Sequence, residues 1–208
     1  MVTLIKTIFF DFDGVLTTDS NGSTTVCSNL QKAIPELSFD DLYRCYRKNH
    51  SQLLLGKATY ADIWNDFCAC LGKQVDISLL PEILKNAPKN EQMFTLCEAL
   101  KQHYKIGIIT DNPKERLHAL IKRMKLDELF PILILSADVG AKKNESHIFE
   151  EALRAANANA QECVFIDNQQ RNLVIPSEMG FHTFCHDDVK NDLVPLLQQL
   201  KEWGIVVQ

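Results

Sequence analysis

The sequence predicts an α/β protein: a Rossmann-like parallel sheet with helices on both faces, plus an inserted small α-helical cap domain. Three observations carry that prediction. An apolar run over residues 4–10 stops abruptly at two carboxylates, Asp11 and Asp13, followed by Gly14. A second apolar run, from Cys163 to Ile166, has the same shape and ends in Asp167. From about residue 88 onward, strand-like and helix-like stretches alternate, as in units whose parallel strands are covered on both faces.

Taken in order, residues 4–10 are the first strand, and the start of the chain lacks the basic residues and cleavage site of a signal peptide. Residues 19–25 are polar and rich in Gly, Ser and Thr, which suggests a linker. Helical patterns follow over 40–55 and 60–71. In the second, Ile63, Phe67 and Leu71 recur at helical spacing, and Gly72 supplies a stop. Pro81 and Pro88 bound another short helix. Residues 17–87 are therefore read as a helical cap domain with no strand of its own, and 1–16 with 88–208 as the core domain. The core continues with a helix over 91–103, a strand over 105–110 and a helix running from Pro113, which suits a first turn, to about 124. A strand over 131–135, a helix over 146–156 and the strand over 163–167 come next. A helix over 170–178 ends before Gly180, a natural cap, then a strand over 181–185 and a last helix over 188–203. Because the insertion leaves the sheet after its first strand, it must emerge at the carboxyl rim, above the two aspartates.

The 208 residues suit a core plus a small insertion, and 46% hydrophobic with 24% charged residues is ordinary for a globular protein. No run approaches the roughly 20 apolar residues of a membrane span. A net charge of −5 gives no nucleic-acid footprint. The seven cysteines are scattered, with Cys68 and Cys70 forming C-x-C rather than a zinc spacing; buried, reduced thiols and a cytoplasmic address are expected.

Side chains alternate along a strand, so Asp11 and Asp13 lean the same way, and two acids on one rim repel unless a cation or a proton relieves them. In open α/β sheets that rim is where ligands sit. Asp and Gly are also ordinary turn residues, and the first motif alone leaves both readings open. Three later positions favour a site. Thr110 ends a strand with a hydroxyl and an amide, Lys142 or Lys143 offers a cation before a helix, and Asp167 and Asn168 add oxygen ligands. An oxygen-rich set of this kind suits Mg²⁺.

These motifs resemble those of the haloacid dehalogenase-like hydrolase superfamily, in its phosphatase-like branch with a helical (C1-type) cap. The resemblance rests on Asp11-Phe12-Asp13-Gly14-Val15-Leu16-Thr17, the strand ending in Thr110, and Leu135-Ser136-Ala137-Asp138-Val139-Gly140-Ala141-Lys142-Lys143 before Ile148-Phe149. It continues through Val164-Phe165-Ile166-Asp167-Asn168 with Asn172, and Met179-Gly180-Phe181. It implies that Asp11 is the nucleophile, forming an aspartyl-phosphate, and that Asp13 is the acid and base. It also implies Mg²⁺ held by Asp11, the Asp13 carbonyl, Asp167 and Asn168, with Thr110 and Lys143 on the phosphoryl oxygens and Asp111 beside them. Lys143 is preferred to Lys142 by its offset from Ile148-Phe149. Asp at position 13 argues against the halide-removing branch.

The chain departs from that pattern at Asn168, where relatives carry an acid, at Asp111, where they often carry Asn, and after Lys143, where a proline is usual. The extra carboxylate at 111 is expected to replace in part the one missing at 168. In the cap, Arg44, Arg47, Lys48 and His50 form a basic stretch that is either a solvated face or a contact for an anionic substrate. Asn172 is either a brace for the metal loop or a surface amide, and His182 and His186 are structural or solvent-facing. The resemblance thus implies a Mg²⁺-dependent phosphomonoester hydrolase acting on a small phosphorylated metabolite, with neither nucleic acid nor membrane as partner. The alternatives are a phosphoryl-transfer mutase and a catalytically weak member that binds a phosphorylated ligand or a protein.

Overall fold

The computed structural model describes residues 4–207. β1 (Thr7–Phe10) is buried along its whole length and ends in a tight turn over Phe12–Leu16. The next five helices are α1 (Gly22–Ala33), α2 (Phe39–Lys48), α3 (His50–Leu54), α4 (Tyr60–Leu71) and α5 (Leu80–Leu84). Then come α6 (Glu91–Lys101), β2 (Lys105–Thr110), α7 (Lys114–Met124), α8 (Leu126–Leu129), β3 (Ile132–Leu135), α9 (Ser136–Val139) and α10 (Ser146–Ala156). The chain closes with β4 (Cys163–Asp167), α11 (Val174–Met179), β5 (His182–Cys185) and α12 (Val194–Glu202).

The five strands form one parallel sheet in the order β3-β2-β1-β4-β5. Alternation along the strands sends Ile8, Phe10, Ile108 and Ile166 into a core with Met93, Leu100, Leu117 and Leu196 from α6, α7 and α12. Phe9, Ile109 and Phe165 point the other way, onto Ile148, Phe149 and Ala152 of α10. Both faces are therefore covered, which is why the central strands read as nearly continuous apolar runs. The helices α1 to α5 have a third core of their own, including Val26, Leu30, Leu42, Trp64, Phe67 and Ile83. Several contacts tie this helical cap to the sheet domain. The amide of Tyr60, at the start of α4, donates to Glu115 Oε1 of α7 at 2.9 Å. Gly56 packs so closely on Ala137 that a Cβ there would lie 2.1 Å from the Ala137 carbonyl oxygen.

Several expected elements differ from those observed: the first strand starts only at Thr7 rather than at residue 4, and the helix expected over 170–178 is α-helical only from Val174. The supposed linker over 19–25 contains the start of α1, because Asn21 Oδ1 accepts from the Thr24 amide at 2.9 Å and caps a helix there. The helix expected over 40–55 breaks at Asn49 into α2 and α3. The last helix starts only at Val194, since residues before it form a loop held by side-chain bonds from Asp187 and Asp192. The thiols also differ from expectation. Cys45 of α2 and Cys70 of α4 form a disulfide, while Cys27, Cys68, Cys97 and Cys163 are free and buried and Cys185 is free and exposed. Two residues apart on α4, Cys68 and Cys70 face different ways: Cys68 enters the cap core and Cys70 meets α2. The expected reduced state therefore does not hold for this pair. No helix among the described residues is long and apolar enough to cross a membrane.

Candidate active site

Three adjacent strands, β2, β1 and β4, end at the same rim and bring Thr110, Asp11 and Asp167 together. The sheet ladder extends one residue beyond β1, with the Asp11 amide donating to the Ile166 carbonyl at 2.8 Å. The backbone then turns away through Gly14, whose φ of +83° only glycine adopts without strain and whose Cβ would collide with the Asn168 amide. The rim forms the floor of a cavity of ≈490 Å³, roofed by Tyr43, Tyr46, Arg47 and His50 of the cap.

Asp11 is 5% exposed. Its Oδ1 accepts from the Phe12 amide at 2.7 Å, and its Oδ2 meets Lys143 Nζ at 2.7 Å. The same ammonium lies 2.7 Å from Asp167 Oδ2. Burial works against the charge of Lys143, but Asp11, Asp167 and Asp111 outweigh it and hold the ammonium firmly protonated. Burial pushes the Asp11 carboxyl well above its usual range, with Asp167 adding to the effect and Lys143 opposing it. Asp111 is raised too, chiefly by burial. Its Oδ1 accepts from the Lys143 backbone amide at 3.1 Å. Lys142 also lines the cavity, but it is Lys143 that reaches the aspartates. Asn172 acts as a brace, its Nδ2 lying 3.1 and 3.0 Å from the two Asp167 oxygens. Of the two histidines, His186 is buried against Asn191 and His182 packs on Trp203, so both are structural.

Asp13 has quite different partners. Arg116 of α7, 1% exposed, grips it with Nη1 to Oδ2 at 2.8 Å and Nη2 to Oδ1 at 2.7 Å. Asn112 Nδ2 donates to Asp13 Oδ2 at 2.9 Å and to Thr110 Oγ1 at 2.8 Å, and Asn112 Oδ1 in turn accepts from Arg116. Gly22, the first residue of α1, sits over this pair so closely that a Cβ would lie 2.5 Å from Arg116 Nη1. Arg116 and Asn112 were missed in the sequence. The available signal was position: Arg116 directly precedes Leu117 on the face of α7 that turns inward.

The donor set fits a hard divalent cation. The buried carboxylates Asp11, Asp13 and Asp167 outnumber the buried cations Arg116 and Lys143 by one, and the half-buried Asp111 and Lys142 offset each other. Among the described residues, Asn168 Oδ1 is buried with no hydrogen-bond partner. No three His, Cys, Asp or Glu side chains among the described residues converge as a ready cage, because Lys143 stands between Asp11 and Asp167. Mg²⁺ needs no such cage, since it typically takes one or two carboxylates and keeps several waters.

A family model for haloacid dehalogenase-like hydrolases matches residues 5–174. This chain belongs to the haloacid dehalogenase-like hydrolase family. Among related proteins, a glyceraldehyde 3-phosphate phosphatase of Pyrococcus abyssi is 26% identical over 183 residues, covering 80% of this chain and 74% of that protein. The pyrophosphatase PpaX of Bacillus thuringiensis is 28% identical over a shorter match, 43% of this chain and 41% of that one. In fold, this hydrolase is similar to a predicted HAD-like family hydrolase of Porphyromonas gingivalis (TM-score 0.76, 22% identity, 95% of this chain and 98% of that one). It is also similar to a HAD family enzyme of Bacteroides thetaiotaomicron solved in complex with magnesium and inorganic phosphate (TM-score 0.74, 20% identity, 92% and 98% covered).

Proposed function

We propose that this hydrolase is a Mg²⁺-dependent phosphomonoesterase that removes phosphate from a small metabolite through an aspartyl-phosphate on Asp11. The observation that carries the reading is the division between the two aspartates. Asp11 lies at the cavity floor beside a lysine, and Asp13 is clamped two residues away by Arg116 and Asn112. One carboxylate is thereby left to attack phosphorus, and the other is fixed where it can handle protons.

In the first displacement an Asp11 oxygen bonds to phosphorus and the ester P–O bond breaks, while Asp13, having taken a proton from the arriving monoester monoanion, passes it to the departing oxygen. Water then attacks the aspartyl-phosphate while Asp13 takes up its proton, and free phosphate and the Asp11 carboxylate are restored. Each Asp13 oxygen accepts from an Arg116 nitrogen, so proton transfer requires one of these bonds to open as substrate settles. Thr110 and Lys143 are positioned to hold phosphoryl oxygens, where electrostatics supply much of the rate. Asp11, Asp167 and Asn168 would hold the cation, together with the Asp13 carbonyl. When bound, it offsets the repulsion between the Asp11 carboxylate and the phosphoryl group.

The cap side of the cavity supports an anionic small molecule. Among the described residues, the hydrogen-bond partners of Arg47 Nη1 are neutral, Ser23 Oγ at 3.4 Å and His50 Nδ1 at 3.2 Å. Burial and the nearby Arg47 and Arg116 lower His50 to about 3, so it stays neutral and leaves the Arg47 charge for a ligand. The phosphatase names of the relatives and the magnesium and phosphate bound by the Bacteroides enzyme agree with this reading.

Phosphate release from a panel of small phosphomonoesters, with Mg²⁺ and with chelator, tests it. Metal-dependent release is expected. Isomerisation of a sugar bisphosphate without release would favour a mutase, and phosphate binding without turnover would favour a binding role.

A further inference from the structure

The surroundings of Asn168 show why an amide suits this position. Its Nδ2 donates to the Ser20 carbonyl at 3.1 Å and to Asp188 Oδ2 at 2.9 Å. Both of these partners are acceptors, so the nitrogen must face them and the oxygen must face away. That oxygen is buried and has no donor among the described residues. A buried acceptor without a partner costs about 1–3 kcal/mol unless something electropositive meets it.

Asp188 is held in place by its loop. The register of β4 and β5 pairs Asp167 with Cys185, and the His186 amide donates to the Asp167 carbonyl at 2.9 Å. His186 Nε2 and Asn191 Oδ1 lie 3.1 Å apart, and Asp187 caps the amides of Val189 and Lys190 at 3.2 and 3.0 Å. The loop thus presents Asp188 to the outer side of Asn168. Asp111, the carboxylate expected to compensate for the missing acid, has one oxygen on the Lys143 backbone amide.

We propose that Asp188 is a positioning residue of the cation site that acts through Asn168. It fixes the amide so that Oδ1 faces the cation, and it places a negative charge one residue further out. An aspartate at 168 would press a second carboxylate against Asp188 where the amide now donates. The inference rests on the metal-dependent reading above.

Calorimetric titration of Mg²⁺ into the full-length protein tests it without turnover, alongside thermal unfolding of each metal-free variant. Loss of the brace in Asp188→Ala should weaken Mg²⁺ binding about 10-fold or more, within the range for partners that orient metal ligands. Asp188→Asn, which keeps the shape and loses the charge, should weaken it less. Asn168→Asp alone should bind no more tightly than wild type, whereas Asn168→Asp with Asp188→Asn should recover wild-type affinity by exchanging the partners. Wild-type affinity in Asp188→Ala, or tighter binding by Asn168→Asp alone, would overturn the proposal. If wild type binds Mg²⁺ and hydrolyses phosphomonoesters while Asp188→Ala is unchanged, only this inference falls. If wild type binds no Mg²⁺, the metal-dependent reading falls with it.

Discussion

Asp11 and Asp13 are chemically identical and two positions apart, yet their neighbours set them different tasks. Arg116 is the reason, because its planar fork matches both Asp13 oxygens and cannot give up its charge. Replacing it by methionine would strand a carboxylate that is 8% exposed, so Arg116→Met should cost about 3–5 kcal/mol in urea unfolding, and Arg116→Lys less. A loss below about 1 kcal/mol would place the pair among weak surface contacts. His50 gives a second test at this scale. Its folded value near 3 lies below the ordinary 6.5, so the unfolded chain takes up the proton first as the pH falls. Its contribution to stability is complete above pH 6.5 and is lost between 6.5 and 3, at up to about 1.4 kcal/mol per pH unit. Unfolding measured across that window should show a shallower pH dependence in His50→Gln than in wild type, and equal slopes would contradict the assignment.

Among the elements, those with strong local signals were the legible ones. β2, α10 and β4 keep the limits that their apolar runs imply, and Gly72 and Gly180 end α4 and α11 with positive φ. α1 was hidden because its first turn is written in Gly, Ser and Thr, and the Asn21 cap and the packing of Val26 and Leu30 prevail over that composition. The Cys45–Cys70 disulfide was hidden for a different reason: nothing local marks a partner 25 residues away on another helix. A loop of that length gives about 3 kcal/mol of stabilisation from restricting the unfolded chain. Thiol titration of the denatured, unreduced protein should therefore find five free cysteines, and reduction should lower the unfolding midpoint. Seven reactive thiols before reduction would contradict the bond.

At the scale of the whole molecule, the strand order makes the site. With β1 between β2 and β4, residues distant in sequence end at one rim, which is why Asp11, Thr110 and Asp167 could be read as neighbours from strand ends alone. Asn112, Arg116 and Asp188 could not, because their contacts depend on how α7 is rotated and on the path of the loop after β5. The cap then closes the cavity from above, with Gly22 resting on the Asp13–Arg116 pair and Arg47 facing inward. The central claim is that Asp11 carries the phosphoryl group during turnover. It is tested most directly by acid-quenching the enzyme with Mg²⁺ and a hydrolysable phosphomonoester, then examining the peptide that contains Asp11 by mass spectrometry. A phosphoryl adduct on Asp11, absent in an inactive Asp11→Asn, is the predicted result. Turnover persisting in Asp11→Asn, with no adduct on the wild-type peptide, would contradict it.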